Sequence, residues 1–84
     1  MTYPKYVERA RRNLLSYFRY RRLPAPEVQV QKLRGLGLYR VTVRTRAWRT
    51  LRHSHRIQIA ESAAFRTLTE AERIRLFVRV EVVW

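Results

Sequence analysis

The stretch Ile74-Arg75-Leu76-Phe77-Val78-Arg79-Val80-Glu81-Val82-Val83-Trp84 (residues 74–84) alternates without a break. Ile74, Leu76, Val78, Val80, Val82 and Trp84 fall on one side, and Arg75, Phe77, Arg79, Glu81 and Val83 on the other. A period of two sends successive side chains to opposite faces of a strand, and no helix satisfies it. The same period runs through Leu38 to Arg46, where Tyr39, Val41, Val43 and Thr45 oppose Arg40, Thr42, Arg44 and Arg46. A shorter strand is expected over Glu27 to Leu33, with Val28 and Val30 alternating with Gln29 and Gln31. Arg34-Gly35-Leu36-Gly37 holds both glycines of the chain and predicts a hairpin between these two strands. Alternation is read once more over Leu51 to Ala60. It sets Leu51, His53, His55, Ile57 and Ile59 against Arg52, Ser54, Arg56 and Gln58, after a reversal at Ala47 to Thr50.

Outside these runs the period changes. Between Pro4 and Arg22, the residues Tyr6, Val7, Ala10, Leu14, Tyr17 and Phe18 recur every three or four positions, which predicts an amphipathic helix. Pro4 suits its first turn, Thr2 or Tyr3 its cap, and Pro24-Ala25-Pro26 its end. Glu61 to Arg73 reads as a short helix or two helical turns, with Thr69 and Glu72 at capping-box spacing. The predicted order is α-β-β-β-α-β. It makes a single α+β domain over residues 1–84, an antiparallel sheet with the N-terminal helix on one face. The expected core joins Val7, Ala10, Leu14 and Phe18 to the strand valines, Tyr39, Leu76, Ile57 and Ile59.

Composition narrows the function. The 84 residues carry 19 Lys or Arg against 6 acids, all of them Glu, for a net charge of +13. The absence of cysteine removes disulfides, thiolate zinc sites and thiol nucleophiles. No apolar run approaches the ~20 residues that cross a bilayer, so an intracellular, cytoplasmic protein is expected. The charge is also unevenly placed. Residues 28–60 hold eight basic residues and no acid, whereas residues 61–84 are neutral. An acid-free basic segment reads as the footprint of a polyanion.

If the strands at 38–46 and 51–60 pair, Arg40, Arg44, Arg46, Arg52 and Arg56 share one sheet face. Like charges on neighbouring strands repel, and guanidinium groups suit bidentate phosphate contact. The bland alternative is a solvated outer sheet face. Lys5, Arg9, Arg12 and Arg19 add a basic stripe on the helix, with Arg11 and Arg22 near its edge, which reads equally as a phosphate-contact surface and as an ordinary solvated one. Trp48, between Arg46 and Arg49, is a candidate to stack on bases, or else closes one end of a thin core. His53 and His55 would point the same way on a strand. With no Cys or Asp and no nearby Glu, a metal site is not expected.

Gly37-Leu38-Tyr39-Arg40-Val41-Thr42-Val43 resembles the central strand of RelE-type ribosome-dependent ribonuclease toxins. Those proteins begin with a strand and two helices where this chain has one helix, so no catalytic residue is carried over. Leu38 to Val83 is also similar to the small linker domain of phycobilisomes, through Tyr39-Arg40-Val41-Thr42, Arg52 to Ile59 and Arg73-Ile74. That family has a Gly-Gly pair before the last strand, where this chain reads Leu76-Phe77. The first resemblance implies a ribonuclease toxin, and His53 and His55 as an acid–base pair with nearby Arg56 would describe a small metal-independent ribonuclease in their own right. The second resemblance implies a basic adaptor docking on an acidic protein assembly.

The leading expectation is a non-enzymatic, arginine-rich nucleic-acid-binding protein without a cofactor. RNA or a ribonucleoprotein is favoured over duplex DNA, because a broad basic sheet face with an Arg and Trp mixture suits shape and stacking recognition and no groove-reading motif is visible. The candidate contacts are Arg40, Arg44, Arg46, Arg52, Arg56, Trp48, Arg9 and Arg12. A homodimer through the edge of the last strand is a further expectation.

Overall fold

The computed structural model describes residues 3–35 and 37–84. Its elements are α1 (Lys5–Tyr20), β1 (Glu27–Lys32), β2 (Tyr39–Thr45), α2 (His53–Ala64), α3 (Glu70–Arg73) and β3 (Leu76–Val82). The α+β class is as expected, with α1 packed on a three-stranded sheet of order β1-β2-β3.

α1 follows its apolar spacing. Val7, Ala10, Leu14 and Phe18 are all buried, one turn after another along a single face. Pro4 occupies the cap position, and its carbonyl accepts from the N–H groups of Val7 (3.0 Å) and Glu8 (3.3 Å). Thr2, one of the two candidate caps, lies outside the described residues. The helix ends in a Schellman motif. The N–H of Leu23 donates to the carbonyl of Phe18 (2.9 Å) and that of Arg22 to Arg19 (3.0 Å). The motif needs a left-handed residue, and here that residue is Arg22, with φ 56°.

β1 and β2 form the expected antiparallel hairpin, from Lys32 opposite Tyr39 to Glu27 opposite Arg44. Gly35 and Gly37 take φ values of 121° and 67° in the turn, which only glycine adopts without strain. Leu36, between them, lies outside the described residues.

Two linked features differ from the sequence reading. Residues 53–64 form a helix and not a third strand, and β3 runs parallel to β2, so the sheet is mixed rather than antiparallel. Parallel neighbours cannot be joined by a tight turn and need a crossover of a dozen or more residues, usually helical. The segment from 46 to 75 supplies it. The alternation at 51–60 hides a helical pattern, because Ile57, Ala60 and Ala64 are spaced three and four apart. Ala60, Ala63 and Ala64 are buried, and their small side chains let α2 approach α1 closely. Asn13 fastens the pair, its Nδ2 donating to the Ala64 carbonyl (3.0 Å) and Thr67 Oγ1 (2.9 Å).

The helices cover one sheet face. Val41, Val43, Leu76 and Val80 point into the core they share, and Val28, Val30, Val78 and Val82 are packed at its margin. Thr69 and Glu72 close the expected capping box at the start of α3. The Thr69 N–H donates to Glu72 Oε1 (2.9 Å), and the Glu72 N–H donates to Thr69 Oγ1 (3.2 Å).

Candidate nucleic-acid interface

The eight candidate residues do not assemble on one surface. Arg40 and Arg44 do lie on the open face of the sheet, but Arg46 follows β2, Arg52 caps α2, and Arg56 is in its first turn. The expected five-arginine sheet face depended on a strand at 51–60, and the helix there dissolves it. What remains on that face is close to neutral. Arg44 sits between two carboxylates, Glu27 on β1 (3.5 Å) and Glu81 on β3 (3.2 Å), which are its register partners on either side. Arg40 donates to Gln31, also directly opposite. Arg79 lies 3.5 Å from Glu81. Ion pairing across the strands at Arg44 and along β3 at Arg79 thus offsets most of the charge.

Two other candidates have structural duties. Arg9 bonds Glu72 (2.6 Å) and the Thr67 carbonyl (3.3 Å), tying α1 to the start of α3. Glu72 is held below the usual carboxylate range, first by the backbone N–H of Thr69 and further by Arg9. Arg56 donates to the carbonyls of Trp48 (2.8 Å) and Arg49 (3.0 Å), fixing the 46–52 turn on α2. Trp48 is not a free stacking platform. It is only 4% exposed, with its ring 4.9 Å from that of Phe18 and 6.5 Å from Tyr17. Of the eight, Arg12, Arg46 and Arg52 are exposed, and among the described residues none of the three has an ion-pair partner.

The structure brings a different set together. β2 and β3 run parallel, so both end at one pole of the molecule, where α1 also ends and α2 begins. The packing of Trp48 on Phe18 joins the turn after β2 to the last turn of α1. This pole carries Arg19 from α1, Arg21 and Arg22 from the turn that ends it, and Arg46, Arg49 and Arg52 from the turn after β2, all of them exposed. No acid occurs in residues 9–26 or 46–60. The two nearest carboxylates, Glu27 and Glu81, are engaged by Arg44. Arg49 bonds the Val83 carbonyl (3.0 Å) and lies over the Trp84 ring. None of Arg19, Arg21, Arg22 and Arg49 was among the eight candidates. Arg19 and Arg22 belong to the basic helix patch, and Arg21 and Arg49 were missed, although the acid-free run from 9 to 26 was a signal for Arg21.

A cleft of about 660 Å³ opens at this pole between α1 and α2. Tyr17, Tyr20, Arg21 and Arg22 form one wall, Leu51, His55 and Ile59 the other, and Trp48 the floor. A second hollow of about 400 Å³ continues it along α2 to Gln58, Ser62 and Arg66, sharing Tyr17, His55 and Ile59. Every charged side chain lining the two is an arginine. Tyr20 is 83% exposed on the rim. Such a groove can take a flat, partly apolar group inside while anions sit on its edge.

His53 and His55 are both exposed in the first turn of α2. Among the described residues, no group of three or more His, Cys, Asp or Glu side chains is placed to hold a metal ion. Nor is any helix among them long and apolar enough to cross a membrane. Comparison of the chain with known protein families, curated proteins and solved structures found no match.

Proposed function

We propose that the protein is a cytoplasmic, non-enzymatic nucleic-acid-binding protein that holds single-stranded RNA at the arginine-rich pole. The observation that carries the reading is the acid-free cluster of exposed arginines around a groove walled by Tyr17 and Tyr20. Phosphates would be neutralised by Arg21, Arg22, Arg46 and Arg52, and Arg12 and Arg19, two turns apart on α1, would extend the track. A base entering the groove would lie against the tyrosine wall, which accepts any base through its π-face. The preference for single strands rests on the groove, since a duplex has no unstacked base to place in it. No catalytic role is assigned to His53 or His55, because neither is paired with an orienting carboxylate among the described residues.

Fluorescence anisotropy with a short single-stranded RNA and an equally long DNA duplex, titrated across salt, tests the proposal. Arg21→Glu with Arg52→Glu removes charge at the pole. Arg34→Glu with Arg75→Glu makes the same change in net charge at the hairpin end. The pole variant should bind at least about tenfold more weakly. Its salt dependence should flatten by about 0.7 in slope for each phosphate that is no longer neutralised. The control should be affected much less. Equal effects would mean that only total charge matters and would overturn the location. No binding at low salt would overturn the function.

A further inference from the structure

β3 is an edge strand with one neighbour. The N–H of Tyr39 donates to the Arg75 carbonyl (3.0 Å), and the N–H of Val83 donates to the Thr45 carbonyl (2.9 Å). These two bonds fix the phase of the ladder. Arg75, Phe77, Arg79, Glu81 and Val83 turn their backbone groups toward β2, whereas Leu76, Val78, Val80 and Val82 turn theirs toward the free side. Among the described residues, those four have no backbone partner there. Edge strands are commonly guarded by proline, lysine or a bulge. β3 has no proline, lysine or bulge, its two charged side chains, Arg79 and Glu81, are of opposite sign, and its register with β2 is unbroken over seven residues.

From this edge we infer that two copies of the chain pair through β3, antiparallel, about a two-fold axis at Val80. In that register Val80 opposes Val80 of the second copy, and Val78 opposes Val82. These are the positions whose backbone groups face outward, so about six new hydrogen bonds form. Arg79 then lies directly opposite Glu81 of the second copy, twice by symmetry. Both fall at non-hydrogen-bonded positions, where side chains approach most closely. The exposed Phe77 meets Val83, and Leu76 meets the 79%-exposed Trp84.

Charge selects this register over its neighbours. A slip of two residues one way sets Arg79 against Arg79, and the other way Glu81 against Glu81. A slip of one mismatches the outward backbone groups and turns the apolar face to solvent. The sequence around Val80 is thus self-complementary in one arrangement, and that is what points to a second copy as the occupant. The interface is isologous, so it closes at two chains and leaves neither β3 edge free. Each chain carries +13, so added salt screens the repulsion and strengthens the dimer, whereas it weakens nucleic-acid binding. This inference does not depend on the proposed function, and the opposite salt responses keep the two failures apart.

Sedimentation equilibrium of the nucleic-acid-free chain in about 0.3 M salt should show a dimer. Arg79→Glu alone and Glu81→Arg alone should each be monomeric. Their equimolar mixture should dimerise, because each variant carries the charges that the other lacks. The chain has no cysteine, which allows a check that leaves the charges intact. Val80→Cys should cross-link under mild oxidation, its counterpart being directly opposite. Val78→Cys should not, because the two copies of residue 78 are offset by four residues, roughly 13 Å along the strand and beyond disulfide reach. Wild-type chain that stays monomeric at all concentrations would overturn the inference. So would single charge variants that dimerise like wild type, or equal cross-linking of the two cysteine variants.

Discussion

Arg22→Gly should make the protein more stable and a poorer ligand binder at once. Arg22 holds the left-handed position of the α1 Schellman motif at φ 56°, where glycine is the usual occupant. A side chain in that conformation costs about 1–2 kcal/mol. Glycine relieves the strain but brings roughly 0.5–1 kcal/mol of extra unfolded-state entropy. A net gain of about 0.5–1 kcal/mol remains, which for a domain of this size raises Tm by roughly 2–8 °C. Both hydrogen bonds of the motif are made by backbone N–H groups, so the substitution leaves them intact. The Arg22 side chain is exposed on the cleft wall and bonded to nothing among the described residues, so its removal has no packing cost. If it touches one phosphate, the salt slope of RNA binding falls by about 0.7. Thermal unfolding followed by circular dichroism, with anisotropy titrations at several salt concentrations, reads both effects. A lower Tm would refute the strain argument. A higher Tm with unchanged affinity and slope would show that the arginine is not kept for a ligand.

Other substitutions separate structural from binding roles. Trp48→Phe should lower Tm, because the indole fills the space against Phe18; thermal unfolding reads the effect, and an unchanged Tm would refute that packing role. Thr69→Ala should cost about 1 kcal/mol by removing the capping box, measured by urea denaturation. Glu72 has a lowered folded-state pKa, so the stability it adds is complete above its ordinary value of 4.5 and is lost as pH falls through the folded value. Wild type should therefore shed stability in that acid range, and Glu72→Gln should show a flatter acid limb in pH-dependent denaturation. Arg44→Gln should reduce stability modestly by removing the cross-strand cation between Glu27 and Glu81, which leaves Glu81 with Arg79 alone, while RNA affinity by anisotropy changes by less than about twofold.

The legible parts of the chain were those whose pattern is local. The α1 stripe, the two-glycine turn, the Thr69–Glu72 box and the alternation through Leu76–Val82 each state their structure within a few residues. Residues 51–60 did not, because Leu51, His53, His55, Ile57 and Ile59 satisfy a period of two by coincidence. The deciding information lay elsewhere, in the parallel pairing of β3 with β2, which requires a helical crossover. That one error propagated to the site. Arg52 and Arg56 were assigned to a sheet face that does not exist, and the neutralisation of Arg44 by Glu27 and Glu81 depended on partners from two other strands. Trp48 was ambiguous for the same reason. Its sequence neighbours are arginines, but its spatial neighbour is Phe18, thirty positions away. Arg46 and Arg52 are exposed, but the surface they belong to is a pole and not a sheet.

The placement of β2 between a near and a distant partner also orders assembly in time. Its first pair with β1, Lys32 with Tyr39, closes a loop of a few residues, whereas every pair with β3 spans 37 positions. Closing the longer loop costs about 1.5 kcal/mol more in chain entropy. The hairpin is therefore the element able to form first, on the microsecond scale of such turns. β3 must wait until α2 and α3 have folded back. During that interval the valines of β2 have a bare flank, and the chain is at its most prone to pair with a neighbour in the wrong register. A slow phase in refolding should accordingly report on β3, and substitutions in the hairpin turn should slow the earlier, faster one.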